Sequence, residues 1–281
     1  MKNTNHSLFD KYEMIKDLGT GSSGSVTLVR HISMDQERAL KKVPKASAFA
    51  ESALSEARLL KSLEHPSIPR IFDFEEDDAF YYIVEEYIDG ETLDSFLLHQ
   101  QLISPGLFFN ICEQLCNVFI YLHTQISTPI IYRDLKPEHI IVCHNKLKLI
   151  DFGVSAYVIQ DGNNFNHYGN IEFSAPECFT EDTITPAADI YSLGQLLQYI
   201  LTFTPDSFSH KFQHIIQKAT TSDASLRYVT VAELYQEIQE IQKLTGQPHL
   251  IHKIAVLGSH RGWLQQLEEA YKAEESLFVV V

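Results

Sequence analysis

The first 86 residues have the short, alternating apolar pattern of strands, interrupted by one stretch with helical spacing. Five strands are predicted, two within residues 12–32 and one each in residues 38–43, 70–74 and Phe80–Glu86. Residues 48–63 instead place apolar side chains three and four positions apart, which predicts one helix. The pattern therefore predicts a strand-rich N-terminal part that carries a single helix.

Beyond residue 90 the apolar spacing is helical. Helices are predicted over residues 92–98, 104–123, 186–203, 212–220 and 231–244, with Thr92 as the N-cap of the first. Residues 87–90 link the strand-rich part to the helix-rich part. A length of 281 residues is sufficient for two lobes.

Residues 130–153 combine a predicted hairpin with candidate chemistry. Two short apolar runs, Ile140–Cys143 and residues 147–150, flank polar residues, which favours antiparallel strands joined by a tight turn. Asp134 precedes this hairpin and Asp151 follows it, so both carboxylates are expected at one cleft. One is then placed to accept a proton and the other to hold a metal ion, as phosphoryl transfer requires.

Composition limits the class of partner and the location. A formal net charge of −15 disfavours nucleic acid and anionic membranes. The most apolar stretch, residues 191–203, is too short to span a bilayer, and residues 1–12 lack the apolar core of a signal peptide. We therefore expect a cytoplasmic protein without a membrane segment. The spacing of the four cysteines favours buried thiols over zinc ligands or disulfides.

Three glycines, Gly19, Gly21 and Gly24, lie between the first two predicted strands. Glycines let a backbone approach a ligand closely, although surface hairpins are also rich in glycine. A dinucleotide-binding fold needs a helix directly after the third glycine, whereas strand-like residues follow here. The segment therefore favours a flap over phosphate groups.

The order and spacing of six motifs resemble the eukaryotic-type protein kinase family, which also has bacterial members. The motifs are the glycine loop from Gly19 to Val26, Ala39-Leu40-Lys41, Glu56, Tyr132-Arg133-Asp134-Leu135, Asp151-Phe152-Gly153 and Ala175-Pro176-Glu177. The resemblance covers about residues 9–244. It implies an α+β, bilobal kinase-like fold: an N-lobe (12–86) of five antiparallel strands and one helix, a hinge (87–90) and a mainly helical C-lobe (91–244). Residues 1–11 are expected to form a flexible leader.

The resemblance implies a role for each matched residue. Lys41, oriented by Glu56, would neutralise the phosphates of ATP, and Asp151 would hold Mg²⁺. Asp134 would accept the proton of the substrate hydroxyl and Lys136 would stabilise the transferring group, in the serine/threonine pattern. Further implied ATP-binding residues are Leu18, Gly19, Gly21, Gly24, Val26, Ala39, Glu86 and Ile88, the last two in the hinge. Implied structural or regulatory residues are Tyr132, stacked on Phe152, together with Arg133, Gly153, Asp189 and the ion pair of Glu177 with Arg227.

Two residues in the expected nucleotide cleft depart from the family. His139 replaces an asparagine that supplies an oxygen to a second metal ion. Because imidazole suits softer metals, His139 would weaken that site, bias it towards Mn²⁺, or turn away and contribute nothing. Glu85 replaces a large apolar residue, and a buried carboxylate needs a partner or a raised pKa. Lys41 is one candidate partner, in competition with Glu56.

The activation segment also departs from the family. Residues 156–173 contain no serine or threonine, which excludes autophosphorylation of such residues within them. Asn170 stands where the family has a threonine that helps to position the catalytic residues, and this puts substrate positioning in doubt.

The tail, residues 245–281, lies outside the resemblance. It is predicted as a strand–helix–strand extension that packs on the C-lobe, mediates self-association or is a truncated remnant.

The favoured function is an ATP-dependent serine/threonine kinase that acts on an unidentified protein. The alternative is an ATP-binding pseudokinase that serves as a scaffold or regulatory module. A small-molecule phosphotransferase is disfavoured by Ala175-Pro176-Glu177 and Arg227, which build a platform for protein substrates.

Overall fold

The structure, a computed structural model, describes residues 8–21, 24–153, 155–157, 172–180 and 184–246. Residues 1–235 form one compact unit. A second unit comprises residues 236–281, of which residues 236–246 are described. No helix in the described ranges is both long enough and apolar enough to cross a membrane.

Five antiparallel strands form the N-lobe sheet in the order β1-β2-β3-β5-β4, which confirms the predicted α+β class. The strands are β1 (Tyr12–Gly21), β2 (Gly24–His31), β3 (Gln36–Pro44), β4 (Ile71–Glu76) and β5 (Phe80–Glu86). The register pairs Val26 with Lys41, and Ala39 with Glu85. Because directly opposed residues and residues two apart share a face, one face of the sheet carries all four side chains.

The single N-lobe helix, α2, spans Ala50–Lys61 and is shorter than the predicted range of residues 48–63. Its buried face carries Ala53 and Ala57, which form a core cluster with Val43 and Ile83 of the sheet. Apolar residues four apart therefore fix which face of α2 meets the sheet.

A short helix, α1 (Leu8–Lys11), precedes the sheet. Residues 8–11 were predicted within a flexible leader, but Leu8 is fully buried in the core beside Tyr12 and Val29. The backbone N–H of Leu8 also donates to Glu75 at 2.8 Å, and Lys11 pairs with Asp73 at 2.8 Å. The sequence around Leu8 does not predict these contacts, because they are made with residues more than 60 positions away.

The C-lobe is mainly helical, as predicted. Its α-helices are α3 (Leu93–Gln100), α4 (Pro105–Ile120), α5 (Ala187–Leu201), α6 (Asp206–Ser209), α7 (Gln213–Ala219) and α8 (Val231–Gly246). Short 3₁₀ turns cover Pro137–His139, Pro176–Phe179, His210–Phe212 and Ala224–Leu226. Thr92 caps α3 by accepting from the backbone N–H of Ser95, as expected. The helix predicted to reach residue 123 ends at Ile120 and continues as a π-helical turn, Tyr121–Gln125.

The predicted hairpin is present as β8 (Ile140–Cys143) and β9 (Lys146–Leu149). Its two turn residues, His144 and Asn145, both have positive φ, 48° and 61°. This is the backbone required by a two-residue turn that follows the twist of its strands. A short strand, β6 (Glu91–Thr92), pairs with β8 and completes a three-stranded sheet.

A second small sheet brings the two candidate loops together. β7 (Ile130–Ile131) immediately precedes the Asp134 loop, and β10 (Ala156–Tyr157) follows the Asp151 loop. The two strands are antiparallel partners. This pairing and the hairpin together close the chain between residues 130 and 157 into one compact structure.

The four cysteines are free thiols, and Cys112, Cys116 and Cys178 are buried, as predicted. The extension predicted beyond residue 244 lies outside the described residues, apart from the end of α8.

Candidate active site

The backbone of the Asp134 loop is held by one buried carboxylate. Asp189, in the first turn of α5, is fully buried and accepts from the backbone N–H groups of Tyr132 and Arg133 at 2.8 and 2.9 Å. His123 Nε2 lies 2.8 Å from the same carboxylate. Asp189 therefore occupies the position predicted for it, while His123 was missed by the sequence analysis.

These hydrogen bonds hold an unfavourable backbone conformation. Arg133 has φ 73°, and Asp151 of the second loop has φ 62°. Non-glycine residues in this region cost on the order of 1–3 kcal/mol unless the surrounding structure enforces them. Both candidate loops thus depend on contacts made with distant elements. Burial also lowers the pKa of the Arg133 guanidinium from its ordinary value.

Asp134, Lys136 and His139 form a compact group. Lys136 Nζ lies 3.2 Å from Asp134 Oδ2, and His139 Nδ1 lies 3.3 Å from the same oxygen. All three side chains are less than a quarter exposed. Two nitrogen-bearing groups therefore converge on the carboxylate that was predicted to accept the substrate proton.

His139 faces the site and does not turn away. Its Nδ1 lies 3.0 Å from the backbone carbonyl oxygen of Asp134, and its Nε2 lies 3.5 Å from Asp151 Oδ2. Because a carbonyl oxygen can only accept, Nδ1 must donate. In the neutral ring, Nε2 then presents its lone pair towards the Asp151 carboxylate. A histidine bonded through one nitrogen in this way is oriented as metal-binding histidines are.

The Asp151 loop is anchored by aromatic packing. The rings of Tyr132 and Phe152 meet edge to face, with centroids 5.1 Å apart, which confirms the predicted contact. The Tyr132 hydroxyl donates to the carbonyl oxygen of Ile150. Burial raises the pKa of this hydroxyl well above its ordinary value, which keeps it a neutral donor. Ser155 Oγ, on the far side of the loop, donates to the Tyr132 carbonyl oxygen at 3.1 Å.

Glu56 joins the sheet to the same loop. Its Oε2 accepts from Lys41 Nζ at 2.6 Å, and its Oε1 accepts from the backbone N–H of Phe152 at 3.0 Å. Burial lowers the pKa of Lys41, but the ion pair with Glu56 outweighs burial and leaves the pKa above its ordinary value. Lys41 therefore remains charged, and its position is coupled to that of residue 152.

Glu85 lies on the same face of the sheet as Lys41 but does not form an ion pair with it. The predicted pairing of these two residues was therefore wrong. Within the described part of the chain, no ion pair or hydrogen bond is formed by the Glu85 carboxylate, because Lys41 is committed to Glu56. Burial together with the nearby charges of Glu56 and Asp151 raises the pKa of Glu85 to about 7, against the opposing effect of Lys41. The cleft thus contains a carboxyl group that titrates near neutral pH.

The glycine flap is partly described. Gly24 has φ 141°, and a side chain there would collide with the backbone carbonyl of Lys42. Glycine is therefore required at the start of β2. At Gly19 a β-carbon would meet nothing within 4 Å, and Leu18 is exposed. Gly21 lies at the end of β1, next to residues outside the described ranges.

Lys148, which the sequence analysis missed, pairs with the predicted hinge residue Glu86. Glu86 ends β5, and its carboxylate pairs with Lys148 of β9 at 2.7 Å. The pair links the end of the N-lobe sheet to the hairpin that carries the Asp151 loop. Ile88, the other predicted hinge contact, is partly buried. Only the three-dimensional structure brings positions 86 and 148 together.

Glu177 and Arg227 form the predicted buried ion pair. Two guanidinium nitrogens donate to the two carboxylate oxygens at 2.5 and 2.8 Å. The guanidinium group also donates to the carbonyl oxygens of Ala187, Thr221 and Ser222. The pair therefore joins the Pro176–Phe179 turn, α5 and the loop before Arg227. Asn170 lies outside the described residues.

The donor groups fit one hard cation. Among the described residues, no cluster of three or more histidine, cysteine and acidic side chains forms a complete metal site. Mg²⁺ does not need such a cluster, because it is bound through one or two carboxylates with water and substrate phosphates as further ligands. The half-exposed Asp151 carboxylate meets this requirement.

Comparisons with known proteins agree with this geometry. A family model of the protein kinase domain matches residues 12–266 and so runs past residue 244. The serine/threonine-protein kinase PrkC of Bacillus subtilis is 29% identical, over 82% of this chain and 40% of its own length. PknB of Mycobacterium tuberculosis is 27% identical, over 86% and 44%. Calcium-dependent protein kinase 4 of Plasmodium falciparum is 32% identical, over 94% and 50%. The chain thus spans about half the length, or less, of these relatives.

Proposed function

Because this chain belongs to the protein kinase family, we propose that it transfers the γ-phosphoryl group of ATP to serine or threonine hydroxyl groups of proteins. The observation that carries the proposal is the double contact of Glu56, which fixes Lys41 and the Phe152 amide at once. Phosphoryl transfer depends chiefly on positioning and charge stabilisation, and this contact positions a phosphate-binding cation relative to Asp151.

The roles of the residues follow from their positions. Asp134 accepts the proton of the substrate hydroxyl group while the hydroxyl oxygen forms a bond to the γ-phosphorus of ATP. The bond between the γ-phosphorus and the oxygen of the β-phosphate breaks, and ADP is released. Lys136, beside Asp134, stabilises the charge on the transferring group. Lys41 holds the phosphates of ATP. A divalent cation, when bound, neutralises charge on the phosphate oxygens.

The preferred cation is set by Asp151 and His139. The Asp151 carboxylate suits Mg²⁺, whereas a nitrogen ligand at His139 Nε2 favours softer ions such as Mn²⁺. The Nδ1 contact with the Asp134 carbonyl supports this role, because it directs Nε2 towards Asp151. The proposed enzyme therefore uses Mg²⁺ but works relatively better with Mn²⁺ than a family member with asparagine at this position.

A serine/threonine specificity is supported by Lys136 and by the names of the similar bacterial kinases. The protein substrate is defined only by the hydroxyl group that it must present to Asp134. The ion pair of Glu177 with Arg227 supports a protein rather than a small-molecule acceptor, because the family builds its protein-substrate platform on it.

The test is phosphate transfer from ATP to a generic protein such as casein, in Mg²⁺ and in Mn²⁺. Asp134→Asn removes the proton acceptor and is expected to lower kcat by about 10²- to 10⁴-fold while ATP binding persists. If wild-type protein binds ATP but equals Asp134→Asn in both metals, the catalytic proposal fails and the pseudokinase alternative replaces it.

A further inference from the structure

Ser52 makes a long-range contact with the Asp151 loop. Its hydroxyl group donates a hydrogen bond to the carbonyl oxygen of Gly153 at 2.5 Å, across 101 positions in sequence. Ser52 lies in the first turn of α2 and is partly buried. The contact therefore joins an N-lobe helix to the glycine of the Asp151 loop.

Ser52 and Glu56 act on consecutive residues of that loop. They are four positions apart on α2, so they lie on one face of the helix. Glu56 accepts from the backbone N–H of Phe152, and Ser52 donates to the carbonyl oxygen of Gly153. One contact holds a backbone donor and the other a backbone acceptor, so together they fix both the position and the rotation of the segment.

The orientation of Asp151 depends on Gly153. The backbone N–H of Gly153 donates to Asp151 Oδ1 at 3.3 Å. A β-carbon placed on Gly153 would lie 3.2 Å from both Ser52 Oγ and Asp151 Oδ1, so the hydroxyl and the carboxylate flank the glycine. Glycine is the residue whose backbone rotates most freely. A contact that fixes Gly153 therefore also restrains the Asp151 carboxylate.

We propose that Ser52 is a positioning residue that sets the orientation of Asp151 through Gly153. The proposal deepens the proposed function and rests on it, because Asp151 is the residue assigned to the metal-bound nucleotide. Loss of the hydroxyl removes the hydrogen bond to the Gly153 carbonyl oxygen, so the backbone of Gly153 is less restrained. A small misplacement of catalytic groups is sufficient to slow an enzyme considerably.

The test compares Ser52→Ala with Ser52→Thr and Ser55→Ala. Loss of one neutral hydrogen bond predicts that Ser52→Ala lowers kcat/KM for ATP by about 2- to 10-fold and raises the Mg²⁺ concentration for half-maximal rate by a similar factor. Ser52→Thr keeps a hydroxyl group and is expected to restore both values. Ser55 is exposed on the same helix, so Ser55→Ala is the matched control and leaves both values unchanged.

Two further readouts separate positioning from folding. Alanine is a better helix former than serine, so the melting temperature of Ser52→Ala is not expected to fall with its activity. Calorimetric titration with ATP and Mg²⁺ measures the binding constant without turnover, and Ser52→Ala is expected to weaken it.

The proposal is overturned if Ser52→Ala matches Ser55→Ala in rate and in binding, or if Ser52→Thr is as impaired as Ser52→Ala. Failure of the proposed function looks different, because wild-type protein then transfers no phosphate. In that case the calorimetric comparison still decides the role of Ser52.

Discussion

His139 Nε2 lies 3.5 Å from Asp151 Oδ2, while the other nitrogen of the same ring contacts the backbone of Asp134 at 3.0 Å. The ring therefore spans the two acidic residues on which the proposed chemistry depends. An asparagine at this position would offer an oxygen to a cation, whereas His139 offers a nitrogen. We therefore expect the side chain at position 139 to affect both the metal preference and the rate.

Replacing His139 with asparagine is expected to raise kcat in Mg²⁺ and to lower the ratio of the Mn²⁺ rate to the Mg²⁺ rate. The change restores an oxygen ligand, and a tenfold effect corresponds to about 1.4 kcal/mol of transition-state stabilisation. Steady-state kinetics in each metal measure both quantities. His144→Asn is the control, because His144 lies in an exposed turn with positive φ, which asparagine tolerates. An unchanged metal ratio in His139→Asn would exclude a role for the ring in metal preference.

Lys41 and Glu56 are expected to contribute to catalysis as one unit. Lys41→Ala should raise KM for ATP, and Glu56→Gln should lower kcat/KM because Lys41 loses its ion-pair partner and only one of the two acceptor oxygens at position 56 remains. The double variant is expected to lose less transition-state stabilisation than the two single variants lose together. A double-mutant cycle on kcat/KM should give a coupling energy of about 1–3 kcal/mol.

Lys42→Ala is the matched control for that cycle. The Lys42 ammonium group lies 4.0 Å from the centre of the Phe80 ring, and Lys42 is on the opposite face of β3 from Lys41. Kinetics similar to wild type are expected for Lys42→Ala. Strictly additive losses for Lys41→Ala and Glu56→Gln would contradict the inferred coupling.

Arg227→Ala is expected to lower the free energy of unfolding by about 3–5 kcal/mol, because it leaves the buried Glu177 carboxylate unpaired. Arg227→Lys keeps the charge but cannot donate two parallel hydrogen bonds to the carboxylate, so it should recover only part of the lost free energy of unfolding. Urea denaturation measures both. Arg30→Ala, which breaks an exposed pair with Asp35, should cost less than about 1 kcal/mol. If Arg30→Ala and Arg227→Ala lowered the free energy of unfolding equally, the structural role of the buried pair would be contradicted.

Glu85→Gln is expected to stabilise the protein more at pH 8 than at pH 5. Burial raises the pKa of Glu85 to about 7, from 4.5 in the unfolded chain. The folded protein therefore retains a proton that the unfolded chain loses, and the contribution of Glu85 to stability falls as the pH rises from 4.5 to 7. Above pH 7 the penalty stays constant, at most about 3 kcal/mol.

Urea denaturation of the nucleotide-free protein at the two pH values measures this difference. Glutamine has nearly the same shape and no charge, so it removes the penalty without opening a cavity. A stability difference between Glu85→Gln and wild type that does not change with pH would show that Glu85 is ionised throughout the range.

The sequence by itself determined the elements and the motifs. Five strands, the N-lobe helix and the hairpin after Asp134 follow from apolar periodicities of two and of three to four residues, which are local properties of the chain. Asp134, Lys136 and Asp151 were predicted as site residues because the order and spacing of their motifs resemble those of protein kinases. The pair of Glu177 and Arg227 was also predicted, because both residues lie in sequence contexts that resemble those of the family's buried ion pair.

Only the tertiary structure decided how these elements meet. The anchoring of Leu8, the pairing of Glu86 with Lys148, and the contact of Ser52 with Gly153 join positions that are about 60 to 100 residues apart. No local period records such contacts. The direction of the His139 ring and the choice of Glu56 rather than Glu85 as the ion-pair partner of Lys41 were likewise undecided in the sequence. Each depends on which of several nearby charged groups comes within hydrogen-bonding distance once the chain has packed.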